Sequence, residues 1–101
     1  MAGTEPLVLR RRIAADHPAF AGHFPGRPIL PGVLLLAEVV EALRAHGEAA
    51  DTLTIQAAKF LAPVGPGAEL TITLNVSNRG GWRFEIHADG VLAASGSLAA
   101  P

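Results

Sequence analysis

Residues 22–46 read GHFPGRPILPGVLLLAEVVEALRAH, a proline-rich loop that runs directly into an apolar segment with helical character. Most side chains of the predicted helix, Val33–His46, are aliphatic, and a helix with so few charges must be covered on nearly all sides. Pro31 and Gly32 mark its start, and Gly47 follows its end. The rest of the chain therefore has to supply a sheet that wraps around this helix.

The flanking sequence has the patterns expected of such a sheet. Alternating apolar and polar residues, together with β-favouring residues, predict five strands. They span 7–13, 52–62, 70–77, 82–89 and 91–98. Asp89-Gly90 predicts a type I′ turn before the last strand. The sequence thus predicts one domain, residues 1–101, of the α+β class, with an antiparallel sheet around one long central helix.

Composition excludes several classes of function. The net charge of -1 argues against a nucleic-acid-binding protein, and the lack of cysteine excludes disulfides and thiolate chemistry. The longest apolar run, 29–37, is too short to span a bilayer, and the N-terminus lacks a secretory pattern. We expect a cytoplasmic protein that does not bind membranes. Half of the residues are apolar, which favours a homodimer or a dimer-based oligomer.

The loop before the helix holds a histidine in a restrained position. Residues 22–32 contain three prolines and three glycines, and His23 is their one side chain that titrates near neutral pH. A fixed imidazole can move protons efficiently, and the positive end of a helix dipole stabilises negative charge that develops nearby. The loop and the helix N-terminus are together a candidate proton-transfer site.

The same loop resembles the active-site signature of the hotdog-fold 3-hydroxyacyl-acyl-carrier-protein dehydratases. The resemblance rests on DHP at 16–18, GHFPG at 22–26 and PGVL at 31–34. Weaker similarity continues through Lys59-Phe60 and Gly81-Trp82 to the last strand, so that it covers most of the chain. The chain is similar to short, divergent members of that family, and the resemblance implies a hotdog fold.

The resemblance also assigns roles to individual residues. It implies that His23 removes the α-proton of a β-hydroxyacyl thioester, so that water leaves and the trans-2-enoyl thioester forms. The backbone carbonyl of Ile29 would hold the imidazole in one tautomer, and the N–H of Gly32 would bind the thioester carbonyl. Phe24 and Val33 would join Gly32 and Ile29 in contacting the substrate.

One position departs from the family pattern. The resemblance predicts a Glu or Asp fourteen residues after the histidine, where this chain has Ala37. Glu41 or Glu38 could replace that general acid, His23 could act alternately as base and acid, or dehydration could be lost. Alternatively, both glutamates mark the solvent-facing stripe of the helix, with Arg44 paired to Glu41.

Three functions remain open from the sequence. The leading one is a dehydratase that needs no cofactor and no metal, because the elimination is redox-neutral. Its substrate would be carried by an acyl carrier protein or by coenzyme A. The alternatives are a hotdog thioesterase and a catalytically silent subunit that binds an acyl chain or pairs with an active partner.

Overall fold

The computed structural model describes residues 6–20, 29–47, 54–77 and 80–99. In these ranges the elements are strand β1 (Leu7–Arg12), a single 3-10 turn (Pro18–Phe20), helix α1 (Gly32–Ala45), and strands β2 (Thr54–Phe60), β3 (Glu69–Val76), β4 (Trp82–Ala88) and β5 (Val91–Ala99). The predicted helix and five strands are confirmed, and the ends that fall in these ranges agree to within two residues. The predicted start of the second strand, at residue 52, lies outside the described residues. The 3-10 turn was not predicted, because its proline-containing sequence reads as loop.

The five strands form one antiparallel sheet in the order β1-β3-β4-β5-β2. Successive side chains of a strand point to opposite faces, and in β3 this places Leu70, Ile72 and Leu74 in the core with no exposed surface. The paired residues of β4 continue the same face, since Ile72 lies opposite Ile86. One face of the sheet is therefore continuously apolar.

Helix α1 packs on that apolar face. Its buried residues are Leu35, Val39, Ala42 and Leu43, which recur at the spacing of one helical stripe. Full burial of each larger aliphatic side chain contributes about 1.5–3 kcal/mol to the free energy of unfolding. The α+β prediction of a sheet around one helix is confirmed in this respect.

The turn between β4 and β5 has the predicted conformation. Asp89 and Gly90 both have positive φ, 49° and 85°, as a type I′ turn requires. The Asp89 side chain also stabilises the turn, because its Oδ1 accepts a 3.1 Å hydrogen bond from the Glu69 amide. This contact fixes the hairpin end against the start of β3.

A single chain does not cover the helix on nearly all sides, contrary to the sequence-based expectation. Val33 is 68% exposed, and Ala37 and Glu41 are exposed on the same outer face of α1. Strand β2, at the edge of the sheet, is exposed along its whole length. The physical reason is that one sheet shields one side of a helix.

None of the described helices has the length and apolar character that a membrane-spanning helix needs.

Candidate active site

The segment that precedes α1 is hydrogen-bonded to the segment that follows β2. The amide of Leu30 donates a 2.7 Å hydrogen bond to the carbonyl of Val64, in the segment that follows β2. Pro31 then has an extended backbone (φ −58°, ψ 142°) and makes no side-chain cap on the helix. Amides in the first turn of a helix have no partner within the helix and carry its positive partial charge. They can therefore bind a polarised carbonyl oxygen.

A cavity of about 630 Å³ lies beside this helix N-terminus. One wall consists of residues 29–33 and Leu35, and the other wall consists of residues 60–64. These lining residues are apolar or glycine, and none of them carries a titratable side chain. A space of this size and character suits a hydrocarbon chain better than a polar ligand. The predicted site residues Ile29, Gly32 and Val33 all line it.

Phe60 is a part of this site that the sequence reasoning did not single out. A β-carbon built on Gly32 would lie 2.8 Å from Phe60 Cε1 and 2.9 Å from Cζ, so the ring packs directly on the helix N-terminus. The backbone after Phe60 is held in place, because the Leu61 amide donates a 2.7 Å hydrogen bond to the Ala93 carbonyl. The resemblance at Lys59-Phe60 was the one sequence signal, and it gave no role.

The predicted base, His23, and the predicted substrate contact Phe24 lie outside the described residues, so their roles remain predictions. The described residue before this stretch, Phe20, is anchored to His17. Its amide donates a 3.0 Å hydrogen bond to the His17 carbonyl, and the two rings meet edge to face with centroids 6.2 Å apart. The chain is thus anchored at Phe20 and again at Leu30.

Neither helix glutamate lies near the Gly32 amide of its own chain. Glu38 and Glu41 follow Gly32 by six and nine residues, which places them about 9 and 13 Å farther along the axis and roughly 120° and 180° around it. Glu41 Oε1 pairs with Arg44 Nη1 at 3.1 Å, and both side chains are more than half exposed. The predicted pairing of Glu41 with Arg44 is confirmed. Ala37 is also exposed.

No described charged residue lines the cavity. Besides the pair on α1, Arg12 Nη2 approaches Glu69 Oε2 at 3.8 Å between exposed side chains at the start of β3. In the part of the chain that the structure describes, no three His, Asp or Glu side chains come together as metal ligands would. Among the described residues, the electrostatic feature at the cavity is the helix N-terminus.

Comparison with known protein families identifies clear sequence relatives. The family model described as ApeI dehydratase, of the ApeI-like family, matches residues 2–97. The 3-hydroxyacyl-(acyl-carrier-protein) dehydratase FabZ of Paramagnetospirillum magneticum is 36% identical, over 95% of this chain and 68% of the relative. The enzyme of the same name from Halorhodospira halophila is 37% identical, over 89% of this chain and 69% of the relative.

Solved structures share the fold. A chain of the dehydratase heterocomplex ApeI:P from Xenorhabdus doucetiae superimposes with a TM-score of 0.73 at 24% identity, covering 97% of this chain and 88% of that one. The fluoroacetyl-CoA thioesterase FlK superimposes with a TM-score of 0.64 at 18% identity, covering 97% of this chain and 84% of that one. At these identities the structural likeness shows the fold, the predicted hotdog, and does not choose between the two chemistries.

Proposed function

Because the chain belongs to the ApeI-like dehydratase family, we propose that it removes water from a β-hydroxyacyl thioester to give the trans-2-enoyl thioester. The observation that carries this proposal is the N-terminus of α1, where Pro31 provides no side-chain cap, beside an apolar cavity of about 630 Å³. The cavity accommodates the acyl chain, and the helix N-terminus receives the thioester carbonyl. The FabZ relatives act, by name, on substrates attached to an acyl carrier protein. We propose the same carrier here, with coenzyme A as the alternative.

The reaction begins with proton abstraction. In the proposed mechanism the neutral imidazole of His23, oriented by the Ile29 carbonyl, removes the α-proton. The electron pair moves onto the thioester oxygen, where the Gly32 N–H stabilises the developing negative charge. The pair then returns to form the carbon–carbon double bond as the β-carbon–oxygen bond breaks. The departing hydroxide takes up one proton and leaves as water, so neither an electron carrier nor a metal is required.

The proton for the departing hydroxyl needs a donor, and Ala37 cannot provide one. Glu38 and Glu41 are too far around α1 to reach the Gly32 amide of their own chain. We propose that His23 returns the proton it has taken, which is sterically feasible when both groups leave from the same face. Glu41 or Glu38 would take over this role only from a second subunit.

A second subunit would also cover the apolar surface that one chain leaves exposed. Strand β2 is an edge strand with Ile55 and Phe60 about half exposed, and the outer face of α1 exposes Val33. We propose a homodimer that buries this surface, in a protein that works in the cytoplasm. Sedimentation at micromolar concentration tests the dimer, and a monomeric mass would contradict it.

A second candidate is a silent subunit that pairs with a different, active chain. It is favoured by Ala37 in place of an acid and by the heterocomplex named for the Xenorhabdus neighbour. A thioesterase has less support, since the described cavity lining offers no carboxylate to activate water.

One assay separates the three candidates. The purified chain is incubated with a 3-hydroxyacyl thioester on carrier protein and on coenzyme A, and the products are resolved by mass spectrometry. We expect the enoyl thioester. Free thiol and hydroxy acid would instead indicate a thioesterase, and binding without turnover would indicate the silent subunit.

A further inference from the structure

We propose that Phe60 is a positioning residue for this reaction: its ring shields the Gly32 amide from water and fixes the approach of the thioester carbonyl. The inference rests on the proposed function and adds a residue to the site. The Phe60 ring contacts Gly32 and occupies the space that a side chain at position 32 would fill. That contact joins the last residue of β2 to the first residue of α1.

The backbone that carries the ring is held in place by the β2–β5 pairing. Phe60 lies opposite Ala94 in the β2–β5 ladder, and the Leu61 amide bonds to the Ala93 carbonyl at 2.7 Å. Three ring atoms, Cδ1, Cε1 and Cζ, come within 2.8–3.1 Å of a β-carbon built on Gly32. A β-carbon at position 32 would displace the ring, because the atoms in contact are the outer atoms of this side chain. Glycine at position 32 therefore lets the ring lie against the helix N-terminus.

Phe60 also lines the cavity. Phe60 is 52% exposed, whereas Phe84, the core phenylalanine of β4, is 1% exposed. Phe84 packs entirely within the chain, whereas about half of the Phe60 surface is open to the cavity and to a second subunit. Phe60 instead forms the cavity wall next to the helix N-terminus, together with Pro31 and Val33.

An apolar wall at this point has a chemical consequence. A hydrogen bond from a backbone amide to a developing oxyanion is stronger where water is excluded, because water screens the charge and competes for both partners. The effect is greatest in the transition state, where the oxygen carries the most charge. Loss of the ring should therefore lower kcat more than it raises KM.

The test compares Phe60→Ala, Phe60→Leu and the control Val91→Ala on the wild-type background, with a four-carbon 3-hydroxyacyl thioester. The short chain limits direct contact between the substrate and the cavity wall. For Phe60→Ala we expect kcat to fall about tenfold, less than the roughly 10²–10³-fold loss on removal of an oxyanion donor. KM should change less than threefold. Phe60→Leu, which keeps an apolar cover, should recover most of kcat, and Val91→Ala should equal the wild type.

A coupled pair of substitutions tests the contact itself. Gly32→Ala should lower both the melting temperature and kcat, because the new methyl collides with the ring. Adding Phe60→Ala creates space for that methyl, so the double variant should unfold at a higher temperature than Gly32→Ala alone. A double variant that is no more stable would overturn the contact.

The kinetic outcomes separate this inference from the function on which it rests. If the wild type is active and Phe60→Ala has the same kcat, the role of Phe60 is overturned and the dehydratase proposal stands. An equal loss of kcat in Phe60→Leu and Phe60→Ala also overturns it, since shielding predicts recovery. A wild-type protein without turnover overturns the dehydratase proposal together with this role.

Discussion

The amide of Leu30 donates a 2.7 Å hydrogen bond to the carbonyl of Val64 and so joins the two walls of the cavity. Leu30 precedes α1, and Val64 follows β2, so the bond connects segments that are far apart in sequence. Both side chains are buried in the core. The geometry of the site therefore depends on packing at this junction as well as on the helix N-terminus.

Truncation of Leu30 should destabilise the protein. The side chain is buried in the core, and Leu30→Ala leaves a cavity that costs about 2–5 kcal/mol of unfolding free energy. Val91→Ala, at an exposed position, should change it by less than about 0.5 kcal/mol. Denaturant unfolding followed by circular dichroism measures both. Equal stabilities of the two variants would contradict the assigned packing.

Removal of the imidazole should abolish most of the elimination. His23→Ala is expected to lower kcat/KM by about 10²–10⁴-fold, the usual contribution of a general base. Its melting temperature should stay close to that of the wild type, which separates lost chemistry from lost folding. Exchange of the substrate α-proton with deuterated solvent gives an independent readout, and it should stop in this variant. Unchanged turnover would reject His23 as the base.

The helix glutamates should be dispensable if His23 returns the proton. Glu41→Gln breaks an exposed pair with Arg44 and should cost less than about 1 kcal/mol of stability. Glu41→Gln and Glu38→Gln should each retain kcat to within about twofold, in contrast to the loss of roughly 10²-fold or more that follows removal of a general acid. Such a loss in either variant would assign the acid to that residue, and within a dimer it would point to the partner subunit.

The edge strand should control assembly. Ile55 is 44% exposed on the face of β2 that continues the apolar side of the sheet, opposite Leu98. Ile55→Asp places a charge there, and we expect the dimer to dissociate at least tenfold more readily. Val91→Asp, at the tip of the β4–β5 hairpin, should leave the mass unchanged. Sedimentation equilibrium over a range of concentrations measures both, and a dimer of equal strength in Ile55→Asp would exclude β2 as the interface.

Local patterns in the sequence predicted the secondary structure and part of the site. Leu70, Ile72 and Leu74 alternate with polar residues, and this period of two fixes a half-buried strand whatever its neighbours are. Pro31 marks the start of α1 for an equally local reason, since its ring fixes φ where the helix begins. The cavity residues Ile29, Gly32 and Val33 followed from this motif and its family resemblance.

The contacts between distant segments were decided by the tertiary structure. Strand β2 is followed in sequence by β3, yet it pairs with β5 at the far edge of the sheet, and this order brings Phe60 against Gly32. The local sequence of neither segment predicts this contact. The exposure of the outer face of α1 was also decided by the tertiary structure, because burial of a helix depends on how many layers of the folded chain pack against it. Periodicity along a chain determines which faces are apolar, whereas strand order and layering determine what those faces contact.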